Sequence, residues 1–133
     1  MKSMEHELLL INSFVIKERR ERYINLIATE KGREKFKNYI SHFKDLNGRY
    51  CTAVPYLESC SQLHNILKSE GGGDVCYVIS ENSKYDMSCL SLKDATTQLF
   101  SSGISFFLSC IPGKLVYYEG EEFNQRFILK KNA

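Results

Sequence analysis

The sequence predicts an α+β fold for a single domain that spans residues 1–133. Three observations support this prediction. Apolar residues recur at helical spacing in the first half of the chain. Two short and almost continuously apolar segments, residues 74–80 and 104–110, are typical of buried strands. The dipeptide Pro112-Gly113 fits the central positions of a type II turn, so the segment after it is expected to return antiparallel.

An N-terminal pair of helices is predicted over residues 13–28 and 30–43. The second of these carries apolar residues at positions 36, 39, 40 and 43, which lie on one stripe of a helix. Thr29 is a suitable N-cap for it, with Glu30 favourable in the first turn. Residues 7–12 are compatible with either a strand or an earlier helical turn.

Two further helices have clearer start signals. Ser59 and Gln62 have the spacing of a capping box, and the glycines at 71–73 end the helix that follows. Ser91 and Asp94 repeat the same spacing, and Gly103 ends the last helix. Between these helical regions, residues 50–54 form a short extended piece and residues 81–88 a polar loop.

The strands are predicted to form a mixed sheet of about four strands. The strand at 74–80, the helix from 91 and the strand at 104–110 read as a strand–helix–strand unit, whose two strands would be parallel with a right-handed crossover. Residues 114–119 and 126–130 then add two antiparallel strands. Helices are expected to cover at least one face of this sheet.

The composition excludes several classes of protein. Hydrophobic residues make up 43% and charged residues 26% of the chain, which excludes a disordered or low-complexity polymer. The apolar runs, such as residues 8–11, are far too short to span a bilayer, and the acidic N-terminus does not resemble a signal peptide. The five cysteines are an odd number without a Cys-x-x-Cys pair, which indicates reduced thiols. Together with the short apolar runs and the acidic N-terminus, this predicts a cytoplasmic protein with no membrane partner.

Basic residues are concentrated near the N-terminus. Residues 15–50 contain ten basic and five acidic side chains, although the net charge of the whole chain is only +2. Six of the basic residues are candidates for binding phosphates, and Tyr23 or Tyr39 for stacking on a base. These candidates are Arg19, Arg20, Arg22, Arg33, Lys35 and Lys37. Interspersed glutamates and a pI of 8.2 favour instead a solvated, self-paired helix face.

No set of residues for catalysis or metal binding converges in the sequence. The glycines at 71–73 follow a helix, whereas a phosphate loop precedes one. Cys60 and His64 lie one helical turn apart but lack the further ligands of a zinc site. Cys89 and Cys110 have no histidine nearby in sequence to activate them. The acidic cluster at 119–122 reads as a solvated turn, so we predict no catalytic residue, metal or cofactor.

These observations favour a non-catalytic module that binds another protein or forms a homodimer. Tyr117, Tyr118 and Phe123 near the last hairpin are the predicted contact residues. Nucleic-acid or phosphate binding through the basic helices is the first alternative. A small enzyme is the second, with either a cysteine and a histidine or a carboxylate-bound metal.

Overall fold

The computed structural model describes residues 2–122 and 125–131. Within these ranges the chain forms five α-helices and six β-strands, which confirms the α+β class. The helices are α1 (Lys2–Phe14), α2 (Arg20–Ile27), α3 (Glu30–Ser41), α4 (Cys60–Ser69) and α5 (Leu92–Leu99). The strands are β1 (Cys51–Ala53), β2 (Val75–Ser80), β3 (Cys89–Ser91), β4 (Phe106–Ile111), β5 (Leu115–Glu119) and β6 (Arg126–Lys130).

The strands form one antiparallel sheet in the order β1-β6-β5-β4-β2-β3. The prediction of a mixed sheet was wrong, because β2 and β4 pair antiparallel. The reason is the loop at 81–88, which reverses the chain and places the short strand β3 beside β2. Helix α5 therefore connects β3 to β4, and these two strands are parallel to each other with β2 between them. The predicted strand–helix–strand crossover exists, but it begins one strand later.

Helices cover both faces of the sheet. Tyr77 and Ile79 of β2 face α1, α2 and α3, in a cluster that includes Phe14 and Phe36. The alternate residues of the same strand face α4 and α5, together with Leu63, Leu92 and Leu108. Burial of both faces explains why the central strands are apolar at nearly every position.

The predicted helix caps and hairpin are confirmed. The side chains of Thr29, Ser59 and Ser91 each accept a hydrogen bond from a backbone N–H in the first turn of α3, α4 and α5. Gly113 has φ +72°, and the Lys114 N–H donates to the Ile111 carbonyl at 2.9 Å. This positive φ is the reason for glycine in the turn between β4 and β5.

The N-terminal helical region differs from the prediction. The helix expected over 13–28 is divided, since α1 ends at Phe14 and α2 begins at Arg20. Between them Val15 and Ile16 are extended, and Val15 forms an isolated bridge to Leu46. The Ile16 N–H donates to the Asp45 carbonyl at 2.8 Å. A backbone segment from beyond α3 therefore replaces the helical hydrogen bonds at this point.

Candidate functional site

Two of the predicted phosphate-binding residues are buried and already paired. Arg33 donates to both carboxylate oxygens of Glu7, with Nη2 at 2.6 Å, and through Nη1 to Asp86 at 2.6 Å. Lys37 lies 3.2 Å from Asp86 and 3.0 Å from the exposed carboxylate of Glu34. The assignment of Arg33 and Lys37 to an anion-binding face was therefore wrong, because both charges are neutralised inside the fold.

The same buried network includes Tyr77, whose hydroxyl donates to Glu7 at 2.5 Å. Burial raises the pKa of Tyr77, and the Glu7 carboxylate raises it further. Burial acts to lower the pKa of Arg33, but its two carboxylate partners outweigh that effect and the pKa is raised. These directions favour the charged state of Arg33 and the neutral state of Tyr77. The network joins α1, α3, β2 and the loop after β2, and it therefore holds these elements together.

The other predicted basic residues remain at the surface. Arg19, Arg22 and Lys35 are exposed, and half-buried Arg20 donates through Nε to the Val15 carbonyl at 3.0 Å. The predicted self-pairing of this face is observed in part, at Lys37 and Glu34. Among the described residues, the ion pairs within 4.0 Å involve neither Arg19, Arg22 nor Lys35.

Two of the predicted partner-binding residues are in the core. Tyr117 and Tyr118 are 0% and 2% exposed. The Tyr118 hydroxyl donates to the Ser41 carbonyl at 2.6 Å, and that of Tyr117 to Glu119 at 2.8 Å. They were wrongly predicted as a contact surface, because both faces of the sheet are covered by helices. Phe123 lies outside the described residues.

Glu119 is separated from the acidic residues that follow it. Its carboxylate is buried, accepts from Arg126 Nε at 3.2 Å and accepts from the Ser101 backbone N–H at 2.6 Å. Arg126 also lies over the ring of Phe100, and its Nη1 is buried without a hydrogen-bond partner among the described atoms. Glu121 is exposed. The acids at 119–122 therefore do not form a paired carboxylate site.

The cysteines do not combine with histidines into a reactive pair. Burial raises the pKa of Cys76 to about 12 and that of Cys51 to about 11, so neither thiol ionises near neutral pH. Burial likewise raises the pKa of Cys110. Cys89 is exposed, but in the described part of the chain no hydrogen bond links a histidine to a cysteine.

Cys60 and His64 line a small open groove between α4 and α5. The groove has a volume of about 190 Å³ and also includes Lys93 and Thr97. Within residues 2–122 and 125–131, no three histidine, cysteine or acidic side chains come together as metal ligands. This result leaves Cys60 and His64 as two side chains of an amphipathic helix.

An exposed surface that the sequence analysis missed lies at the β3 end of the sheet. We call Val75, Met87, Cys89 and Ser91 the β3-edge surface. Val75 pairs with Ser91, so their side chains lie on the same face, and Val75 is 59% exposed. Met87 is 51% exposed and has φ +66°. An alternating pattern across 89–91 is too short to indicate a strand from the sequence.

A second surface combines cations with tyrosine rings near the other end of the sheet, and it includes two of the residues predicted from the sequence, Arg22 and Tyr39. We call it the tyrosine–cation surface, and it consists of Arg22, Tyr39, Lys44, Arg49, Tyr50 and Lys131. Arg22 and Lys44 lie 5.5 and 4.8 Å from the ring centre of Tyr39. Arg49 and Lys131 lie 5.8 and 5.2 Å from that of Tyr50. The other four residues, Lys44, Arg49, Tyr50 and Lys131, were not among the candidates from the sequence.

Comparisons with protein families, with curated proteins and with solved structures found no match to this chain. Among the helices of the described residues, none combines the length and the apolar character required to cross a membrane.

Proposed function

We propose that this chain is a small non-catalytic binding module that acts through contact with another protein. The observation that carries the proposal is the β3-edge surface, where Val75 and Met87 are more than half exposed beside the last strand of the sheet. The buried charges support the same conclusion, because Glu7, Arg33, Glu119 and their partners are engaged with each other inside the fold. We place the module in the cytoplasm, where its unpaired cysteines would stay reduced.

The proposed occupant is an extended segment of a partner protein that adds to β3 as a further strand. β3 ends the strand order, so its outer backbone groups are available to a new strand. Val75 and Met87 would supply apolar contacts to the side chains of that strand, and a flexible methionine adapts to different partners. The edge that β3 offers is three residues long, a length with which a short extended segment can pair along its whole extent.

Selection from a phage-displayed library of random peptides tests this proposal. We expect the selected peptides to be extended, with apolar residues at alternate positions, and to perturb the amide resonances of residues 89–91. The double variant Val75→Thr with Met87→Asn should weaken their binding about tenfold or more. Threonine keeps the strand preference at 75, and asparagine tolerates the positive φ at 87, so the fold is retained.

Ile104→Thr is the matched control, because Ile104 is an exposed apolar residue that precedes β4 and is not part of the β3-edge surface. Equal affinity of the selected peptides for the wild type and the double variant would contradict the proposed surface, as would equal weakening by the control. Sedimentation equilibrium measures the oligomeric state as a second test. If the wild type is a dimer and the double variant is a monomer, the occupant of the β3-edge surface is a second copy of the chain and not a partner segment.

A further inference from the structure

The tyrosine–cation surface has positive charges without acidic partners. Within the described residues, no carboxylate lies within 4.0 Å of the charged group of Arg22, Lys44, Arg49 or Lys131. Arg33 and Lys37 lie in the same basic segment as Arg22, Lys44 and Arg49, but buried carboxylates neutralise their charges. Four cations that face solvent together attract an anionic partner.

Both tyrosines are anchored to the core on their inner side. Tyr39 packs against Tyr23, with ring centres 6.1 Å apart, and Tyr50 packs against Phe14 at 6.2 Å. Their outer faces are covered by side chains rather than by helices, because Arg22, Lys44, Arg49 and Lys131 are the groups that approach them. A ligand that draws these mobile cations toward its own negative charge would uncover rigid aromatic faces.

The segment that connects the two tyrosines carries two of the cations. Tyr39 and Tyr50 are eleven residues apart, so the chain between them spans at most roughly 40 Å, and it includes Lys44 and Arg49. The segment is held in place, since the Asn47 N–H donates to the Phe14 carbonyl at 2.7 Å. Its acidic residue, Asp45, accepts a hydrogen bond from the Tyr23 hydroxyl at 2.8 Å and is directed toward the protein. The exposed charged side chains of this segment, Lys44 and Arg49, are therefore both positive.

We propose that this surface binds single-stranded nucleic acid, with the four cations on successive phosphates and with bases stacked on Tyr39 and Tyr50. The combination of a positive track with aromatic platforms is what sequence-tolerant binding of a single strand requires. A purely electrostatic partner such as an anionic lipid surface would use the lysines and arginines but would have no need of the rings. The proposal is independent of the β3-edge surface, which lies at the opposite edge of the sheet.

Fluorescence anisotropy with labelled oligouridine and oligothymidine, of about twelve nucleotides each, tests the proposal over a salt series. Four phosphate contacts predict that log K falls with log salt with a slope of about −3. Lys44→Gln, Arg49→Gln and Lys131→Gln should each reduce that slope by about 0.7. Tyr39→Leu should instead weaken binding about five- to a hundredfold at any one salt concentration, with the slope unchanged.

Lys84→Gln is the matched control, because Lys84 lies 5.3 Å from the ring centre of Tyr85 on a different part of the surface. We expect it to bind like the wild type. The double variant Arg49→Glu with Lys131→Glu keeps the folded core and should abolish binding. The Val75→Thr with Met87→Asn variant should bind the oligonucleotides normally, so failure of one proposal does not imply failure of the other.

Several results would overturn the proposal. These are the absence of binding at the lowest salt concentration, a flat salt dependence, or an equal loss with Lys84→Gln. Phosphatidylserine vesicles provide the last arm. Binding to the vesicles that depends on Arg49 and Lys131, without binding to either oligonucleotide, would assign the surface to a membrane instead.

Discussion

Arg33 and Arg22 lie on adjacent helices and carry the same charge, but the fold uses them in opposite ways. Arg33 is 8% exposed and is held by two carboxylates, while Arg22 is exposed and lies over the ring of Tyr39. The partners of Arg33 are 26 and 53 residues away in sequence. The spacing of charges on a helix therefore does not tell which of them a distant segment will neutralise.

The largest effect is expected from Arg33→Met. The substitution leaves Glu7 buried without a counter-charge and Asp86 with Lys37 as its remaining cation, and we expect the free energy of unfolding to fall by about 3–5 kcal/mol. Urea denaturation measures this change. Arg22→Met, the same substitution at the exposed arginine, should change stability by less than about 0.5 kcal/mol. Similar losses at both positions would remove the distinction between the two arginines.

A somewhat smaller loss is expected from Arg126→Met in the second buried pair. Arg126 neutralises Glu119, but its Nη1 already lacks a hydrogen-bond partner among the described atoms, so the native contact is less complete than that of Arg33. We expect a loss of about 2–3 kcal/mol. Glu119→Gln in the Arg126→Met background should restore part of the lost stability, because the unpaired charge of Glu119 is then removed. A double variant that is no more stable than Arg126→Met would show that Arg126 acts through packing on Phe100 instead.

The buried network also predicts a pH dependence centred on Asp86. Burial acts to raise the pKa of Asp86, but hydrogen bonds from Arg33 and the Ser80 N–H outweigh it and hold the pKa below its usual value. The stabilisation is therefore complete above the unfolded pKa of about 3.9 and decreases as the pH falls toward the lower folded pKa. Urea denaturation across this acidic range should show the decrease in the wild type. In Asp86→Asn the decrease should be smaller. An equal decrease of stability in the variant and in the wild type would contradict the assignment of this pH dependence to Asp86.

The smallest effect is expected from Glu34→Gln. Lys37 contacts Glu34 and Asp86 at similar distances, but the Glu34 side chain is 69% exposed and that of Asp86 only 9%. Because water screens the exposed contact, we expect Glu34→Gln to lower stability by no more than about 0.5 kcal/mol. Asp86→Asn measured beside it at neutral pH provides the internal comparison. A loss at Glu34 as large as that at Asp86 would mean that exposure does not separate the two contacts.

Local features of the fold were predictable from the sequence, and pairing across the sheet was not. The capping residues Thr29, Ser59 and Ser91 and the Pro112-Gly113 turn act within a few residues, so their patterns are complete in the sequence. β1 and β3 are three residues each and gain their hydrogen bonds from β6 and β2. Such short strands carry no periodicity of their own, and missing β3 led to the wrong parallel pairing.

For the candidate surfaces too, local features were predictable from the sequence and contacts between distant segments were not. The basic segment was correctly identified as a concentration of positive charge, but Tyr117 and Tyr118 were wrongly taken as surface residues because helices on both faces bury them. Lys131 joins Tyr50 only after β6 has paired with β1, so no local pattern predicts that contact.

The α+β class, the N-terminal caps of α3, α4 and α5 and the Pro112-Gly113 turn follow from the sequence by itself, because each depends on the chemistry of neighbouring residues. The tertiary structure alone decided the order and direction of the strands and which charges are buried, since those depend on contacts between segments that are far apart in the chain. It also decided which tyrosines face solvent. Burial removes a side chain from binding as effectively as mutation would, and it is a property of the packed layers, not of any one segment.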